Sequence, residues 1–203
     1  MSPQTDLFGQ HPSSPLGLRY TPDLLTQAEE AALVETLPAL PFRPFEFQRY
    51  IGHRRVVSFG WRYAFDGSGL HQAEPMPDFL LGVRTKAAAF AGLPPEALEQ
   101  VLLTEYAPGA VIGWHRDRPV FGEVVGLSLL TAARLRFRRK RDGKWERFEL
   151  AAAPRSAYHL TGEARSLWEH SIPALDALRY SITFRTLAKP ADLYRHPRGA
   201  GMG

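Results

Sequence analysis

No cysteine occurs in the 203 residues. This excludes disulfides, thiolate metal centres and a cysteine nucleophile, so any metal has to be held by imidazole and carboxylate. No apolar run reaches the roughly 18 residues that a membrane-spanning helix needs, so no membrane segment is expected. The N-terminus lacks a basic start followed by an apolar core, so no secretory leader is expected and the cytoplasm is the expected location. Acidic residues are outnumbered, 21 against 25 basic, and a net charge of +4 favours an anionic partner. Apolar residues make up 44% and charged residues 23%, which fits one water-soluble domain with an ample core. A monomer is the expectation.

What is present falls into three stretches. Residues 1–20 are rich in Pro, Ser, Gln and Gly and read as a flexible tail. Residues 21–187 form the expected domain, and 188–203 a basic tail rich in Pro and Gly. Within the first tail, Gln4-Thr5-Asp6-Leu7-Phe8 resembles the short peptide by which bacterial repair and replication proteins dock on the sliding clamp.

Thr26-Gln27-Ala28-Glu29 is a capping box that opens a helix to about Leu37, before Pro38. Asp78 is placed to cap a second helix that stops at Gly92. The remainder reads as short strands with turns at regular spacing, among them an Asp142-Gly143 hairpin. The expected fold is mostly β with flanking helices: a double-stranded β-helix, or jelly roll, backed by the N-terminal helices.

One stretch carries the chemistry. Leu103 to Asp117 reads as strand, Pro-Gly turn, strand and then His115-x-Asp117. Residues two apart on an extended chain point to one side, so His115 and Asp117 can converge. One imidazole and one carboxylate are two thirds of a facial triad for non-haem iron. His159 and His170 are both candidates for the third position. The last strand, Arg179-Tyr-Ser-Ile-Thr-Phe-Arg185, puts Arg179, Ser181, Thr183 and Arg185 on one face. A half-exposed edge strand would explain this pattern. If the strand is interior, two inward arginines need anions, and a small dicarboxylate suits them.

Taken together, Tyr106-Ala-Pro-Gly, His115-x-Asp117, His170-Ser-Ile and Arg179-Tyr-Ser-Ile-Thr-Phe-Arg185 resemble the AlkB family of Fe(II)- and 2-oxoglutarate-dependent dioxygenases. The resemblance implies His115, Asp117 and His170 as iron ligands. It implies Arg179 on the distal carboxylate of 2-oxoglutarate, Arg185 and Ser181 near its metal-proximal end, and a hydroxyl donated by Tyr106. Thr104 and Ser181 stand where the founding pattern has Asn; both keep hydrogen-bonding ability with shorter reach. The implied activity is O2-dependent oxidative demethylation of alkylated nucleobases in DNA or RNA. The segment before His170 looks closer to branches that act on tRNA, so a wobble base, or a protein side chain, stays open. A nucleic-acid-binding module that has lost catalysis is the alternative of another class. Arg165 is placed near the site or in a surface ion pair.

Two groups are candidates for substrate contact. Phe59, Trp61 and Tyr63 fall on one face of an extended Val57–Phe65 segment, where aromatics could stack on an extruded base or fill a core. The hairpin has eight basic residues among 14 positions, 134–147, with Arg138 and Arg141 the candidates for phosphate contact.

Overall fold

The structure, a computed structural model, describes residues 14–47 and 50–189. Gln4–Phe8 and most of the basic C-terminal tail lie outside these. The described strands are β1 (Leu18–Thr21), β2 (Arg43–Phe47), β3 (Tyr50–Phe59), β4 (Trp61–Ala64), β5 (Gly69–Gln72), β6 (Gln100–Tyr106) and β7 (Ile112–His115). They continue with β8 (Phe121–Leu129), β9 (Ala133–Arg141), β10 (Lys144–Ala152), β11 (Ala157–Leu160), β12 (Glu169–Ile172) and β13 (Arg179–Leu187). The helices are α1 (Gln27–Thr36), α2 (Asp78–Ala91) and the short α3 (Gly162–Ser166).

The strands form a large antiparallel sheet, β1-β11-β8-β13-β6-β3-β2, and a smaller one, β10-β9-β12-β7. Among the described residues β4 and β5 pair only with each other. Side chains of both main sheets meet in one cluster: Tyr106, Val124 and Leu160 from the large sheet, Leu135, Phe137 and Ile172 from the small one. A second cluster joins the other face of the large sheet to α1 and α2 through Leu33, Leu80, Val83, Val101, Leu127 and Ile182. This is the expected jelly roll backed by helices.

The local causes are visible in the sequence. At α1 the Thr26 hydroxyl accepts from the Glu29 N–H at 3.2 Å, and Glu29 reaches back to the Thr26 N–H at 2.8 Å. The helix ends where Leu37-Pro38 begins a 3₁₀ turn. α2 stops at Gly92, whose φ of 76° is left-handed, and the Leu93 N–H returns to the Ala88 carbonyl at 2.9 Å. Its first residue is Asp78; Pro77 holds the cap position, because Pro77 is extended and pre-sets the turn. Asp78 therefore complements the helix dipole from the first turn without capping it. In the hairpin, Asp142 and Gly143 have φ of 49° and 78°, the primed turn that strand twist favours.

Besides the Asp78 cap, two expectations change. Leu18–Tyr20, expected in the N-terminal tail, instead belong to a strand, Leu18–Thr21, paired with Ala157–Leu160. The Val57–Phe65 stripe is not one face. Gly60, at φ 75°, breaks the chain into β3 and β4 because any side chain there would strike the Glu99 carbonyl. Phe59 consequently turns into the helix-side core, with 7% exposure. Of the two readings of β13, the interior one holds: it is hydrogen-bonded to β6 on one side and β8 on the other, so its polar face lies inside. Among the described residues no helix is long and apolar enough to cross a membrane.

Candidate active site

Alternation along β13 sends Tyr180, Ile182 and Phe184 to the helix side and Arg179, Ser181, Thr183 and Arg185 between the sheets. All four polar residues are buried, Arg179 to 1% exposure. Arg179 Nε donates to Ser128 Oγ at 3.1 Å, and its guanidinium lies 4.8 Å from the Tyr106 ring centre. Its Nη1 is buried without a partner among the described residues, as is Arg185 Nε. Leaving charged donors unpaired in a dry interior is costly, so the strand presents a site that calls for an anion. The Tyr106 and Ser181 hydroxyls lie 3.3 Å apart beside it, and Thr104 pairs with Ser181 from β6. Tyr158 reaches the same interior across Gly126, where a Cβ would come within 2.2 Å of its ring. Burial pushes the Tyr158 phenol up to about 12, which keeps it a neutral hydroxyl.

The histidines come from the small sheet. β7 and β12 pair with His115 opposite His170, and the rings lie 4.3 Å apart. Asp117 lies two residues past the end of β7, its Oδ2 3.9 Å from His170 Nε2. His115 Nδ1 donates to the Gly113 carbonyl at 2.9 Å, which leaves Nε2 as the lone-pair nitrogen. Burial, then the neighbouring His115, hold His170 down to about 3, so it is a neutral imidazole at physiological pH. Burial works against the charge on Asp117, yet Arg185, His170 and Arg165 outweigh it and hold its carboxyl well below the usual range. Arg185 Nη2 donates to Asp117 Oδ1 at 2.9 Å. As they stand the donors converge without enclosing an ion: among the described residues no three His, Asp or Glu side chains are spaced to hold one. The donor set of two imidazoles and one carboxylate nonetheless fits Fe(II), and the unpartnered guanidinium atoms fit a dicarboxylate.

His159 is excluded from this set by strand parity. It lies opposite Val125, on the helix side of the large sheet, and its Nε2 pairs with Glu123 at 2.6 Å.

A cavity of about 540 Å³ runs from Asp117 and Arg185 to a wall that includes Phe45, Tyr63 and Phe65. Phe65 meets Tyr63 edge-on at 5.2 Å and Phe45 at 5.6 Å. Arg118, one residue beyond Asp117, stacks on Tyr63 at 5.0 Å and Phe65 at 4.9 Å. Of the expected aromatic stripe only Tyr63 lines this cavity; Trp61 is half-buried on the same hairpin and outside it, and Phe59 is in the core.

Arg165 acts on the loop after Asp117. It donates to the carbonyls of Asp117 (3.3 Å), Arg118 (2.8 Å), Phe121 (2.6 Å) and Gly122 (2.7 Å). One side chain thus fixes the segment that carries both Asp117 and Arg118.

The basic hairpin separates by face. Arg139 points inward to Glu146 and Glu163. Arg138 points outward, paired with Glu169 at 2.7 Å and stacked on Trp114 (4.3 Å) and Trp145 (4.6 Å). It is engaged within the fold, because β12 delivers Glu169 directly opposite it. Arg141 at the tip is 64% exposed.

Sequence reasoning missed Gln100, Ser128, Tyr158, Arg118 and Phe65 as site residues. Gly126 in the middle of an apolar strand was the signal for Tyr158, since such a glycine marks a close approach. Ser128 and Gln100 had none, because only the pairing of β8 and β6 with β13 brings them to the arginines.

Residues 17–185 match the 2OG-Fe(II) oxygenase superfamily. The chain is 27% identical over 164 residues to the mouse tRNA (carboxymethyluridine(34)-5-O)-methyltransferase ALKBH8, covering 78% of this chain and 24% of that protein. It is 30% identical over 112 residues to the zebrafish probable RNA/DNA demethylase ALKBH6, covering 55% and 45% respectively. The chain therefore spans about a quarter of the length of ALKBH8. The solved structure of OsALKBH1 superposes with a TM-score of 0.66 at 16% identity, over 85% of this chain and 97% of that one. The buried arginine strand, the paired histidines and the matched span agree: this chain belongs to the 2OG-Fe(II) oxygenase superfamily, whose chemistry uses Fe(II), 2-oxoglutarate and O2, and it is similar to proteins of the AlkB type.

Proposed function

We propose that this protein oxidatively demethylates alkylated nucleobases in DNA or RNA. The observation that carries the reading is the continuity of the cavity, which joins Asp117 and Arg185 to an aromatic wall faced by a cation. His115, Asp117 and His170 are the residues to hold Fe(II). Arg179 is the residue for the distal carboxylate of 2-oxoglutarate, with Arg185, Ser181 and Thr104 toward the metal-proximal end and Tyr106 donating its hydroxyl. When bound, iron and co-substrate together supply the oxidising power that hydroxylates a substrate C–H bond.

The protein's own part is orientation and shielding. Arg185 holds the carboxylate of Asp117 in place while its second arm rests on Gln100. Tyr63 and Phe65 offer an apolar wall against which an extruded base can lie, with Arg118 beside them to meet phosphate or base. Arg141, with Lys140, Lys144 and Arg147, presents exposed positive charge for the nucleic-acid backbone. The names of ALKBH6 and ALKBH8 support a nucleic-acid substrate, and the similarity to ALKBH8 favours tRNA as a second reading.

The test is a panel of N-methylated DNA, RNA and tRNA substrates with Fe(II), ascorbate and 2-oxoglutarate, followed by mass spectrometry. Loss of a methyl mass with formaldehyde release is expected. Turnover of 2-oxoglutarate with no change in any nucleic acid would overturn the reading.

The proposal extends to a monomer working in the cytoplasm, with Gln4–Phe8 as a docking peptide for the sliding clamp. Capture of the clamp by the full chain, lost on replacing Leu7 and Phe8 by Ala, is the expected result. Equal capture by both would end the clamp proposal.

A further inference from the structure

Gln100 opens β6 directly opposite Arg185. It is 2% exposed, and what it does expose lines the cavity. Arg185 Nη1 donates to Gln100 Oε1 at 3.0 Å, while Arg185 Nη2 donates to Asp117. A guanidinium only donates, so the oxygen of the amide must be the atom that faces it. The amide nitrogen is thereby turned away from Arg185. Among the described residues no hydrogen bond engages it, and it is not sealed from the cavity.

We propose that Gln100 is a specificity-determining residue, whose cavity-facing amide donates to a carbonyl oxygen flanking the methylated nitrogen of the substrate base. The proposal rests on the reading that this cavity takes an alkylated base. One guanidinium separates Gln100 from Asp117, so a methyl group brought to Asp117 places its flanking atoms within reach of the amide. A base methylated at N3 of uracil has a carbonyl on each flank. A base methylated at N1 of adenine has a ring C–H on one flank and an amino donor on the other. Two donors facing each other leave both unpaired, and a site built to hydrogen-bond one partner rejects the mismatched one. The cavity therefore favours N3-methylated pyrimidines over N1-methyladenine.

The test compares single-stranded oligonucleotides that differ only in carrying N3-methyluracil or N1-methyladenine. Two readouts are taken: kcat/KM with Fe(II) and 2-oxoglutarate, and Kd from fluorescence anisotropy with no iron present. The wild type is expected to favour N3-methyluracil by roughly tenfold in both, the size of one mispaired hydrogen bond. Gln100→Glu keeps an acceptor for Arg185 and removes the cavity-facing donor, so it should invert the preference. Gln100→Met removes both and should abolish the preference without inverting it. If Gln100→Glu changes both substrates by the same factor, Gln100 only positions Arg185 and this proposal is overturned. If the wild type binds and converts neither base, this proposal is overturned, while the parent reading is decided separately by the wider panel of methylated DNA, RNA and tRNA.

Discussion

At the residue scale, the arginines of β13 are the most demanding feature of the molecule. A buried Arg179 with one arm on Ser128 and another unpartnered is unstable unless something anionic completes it. Arg179→Met is accordingly expected to raise the KM for 2-oxoglutarate by on the order of 100-fold, with a smaller change in KM for the nucleic acid. Arg179→Lys should restore little, because a point charge cannot reproduce the planar fork. Titration of co-substrate into each variant, followed by tryptophan fluorescence or calorimetry, checks this. Arg165 is a second residue-scale case. Its side chain closes four carbonyls of the 117–122 loop, and burial lowers its pKa from the usual arginine value without removing its charge. Arg165→Met should destabilise the fold by roughly 2–3 kcal/mol and lower metal affinity, since buried carbonyls lose their donors and Asp117 its frame. Thermal melts with and without Fe(II) would measure both effects, and a smaller gain in Tm on adding metal is the expected sign.

At the scale of elements, much is legible in the sequence. The capping box at Thr26, the Gly92 stop and the Asp142-Gly143 turn each rest on residues within a few positions of one another, so local chemistry decides them. Thr26→Ala is expected to cost about 1 kcal/mol, read from chemical denaturation. Glu29, in the same box, is pulled down from 4.5 to about 2 by Lys86 and then by the Thr26 backbone. A carboxylate lowered in the folded state stabilises fully above its unfolded value, and the contribution disappears as pH falls from about 4.5 through about 2. In Glu29→Gln, the slope of stability against pH should flatten in that window; it is a modest effect, because the pair is partly solvent-exposed. The Val57–Phe65 segment shows the limit of local reasoning. Its alternation is genuine, but Gly60 divides it, and the reason is the Glu99 carbonyl, contributed from far along the chain. Gly126 is the reverse case, a glycine whose partner Tyr158 is set by the β8–β11 register. Gly126→Ala should destabilise by roughly 1–3 kcal/mol through overpacking, and Tyr158→Ala in the same chain should relieve part of that loss.

At the scale of the whole molecule, charge distribution matters more than the net +4. The eight basic residues of the hairpin are not one surface. Arg138 and Arg139 are engaged by Glu169, Glu146 and Glu163, Arg136 donates to Ser171, and the exposed Arg134 pairs with Glu149 at the far end; Lys140, Arg141, Lys144 and Arg147 are the exposed charges toward the tip. Replacing Arg141 and Lys144 by Glu should weaken oligonucleotide binding and lower the dependence of log Kd on log salt by about one to two. Arg138→Glu should instead lower stability, since it places like charge against Glu169 and removes a cation held between two tryptophans. Unchanged salt dependence in the tip variant would take the hairpin out of substrate binding.

The sequence by itself determined which residue types were available for chemistry: with no thiolate, only imidazole, carboxylate and guanidinium could build the site. It also determined the spacing along the last strand, because the two-residue period of an extended chain puts Arg179 and Arg185 on a common face, whereas Asp117 lies in the loop beyond β7. The motif resemblance already pointed to His170, and what the tertiary structure adds is the separate placement of His170 and His159. Both lie on strands, and it is the pairing of β12 with β7, against that of β11 with β8, that sends one ring into the site and the other to the helices. The same holds for the interior place of β13 and for Gln100 and Ser128. A strand's neighbours are chosen by packing across the whole sheet, a property that no stretch of a few residues contains.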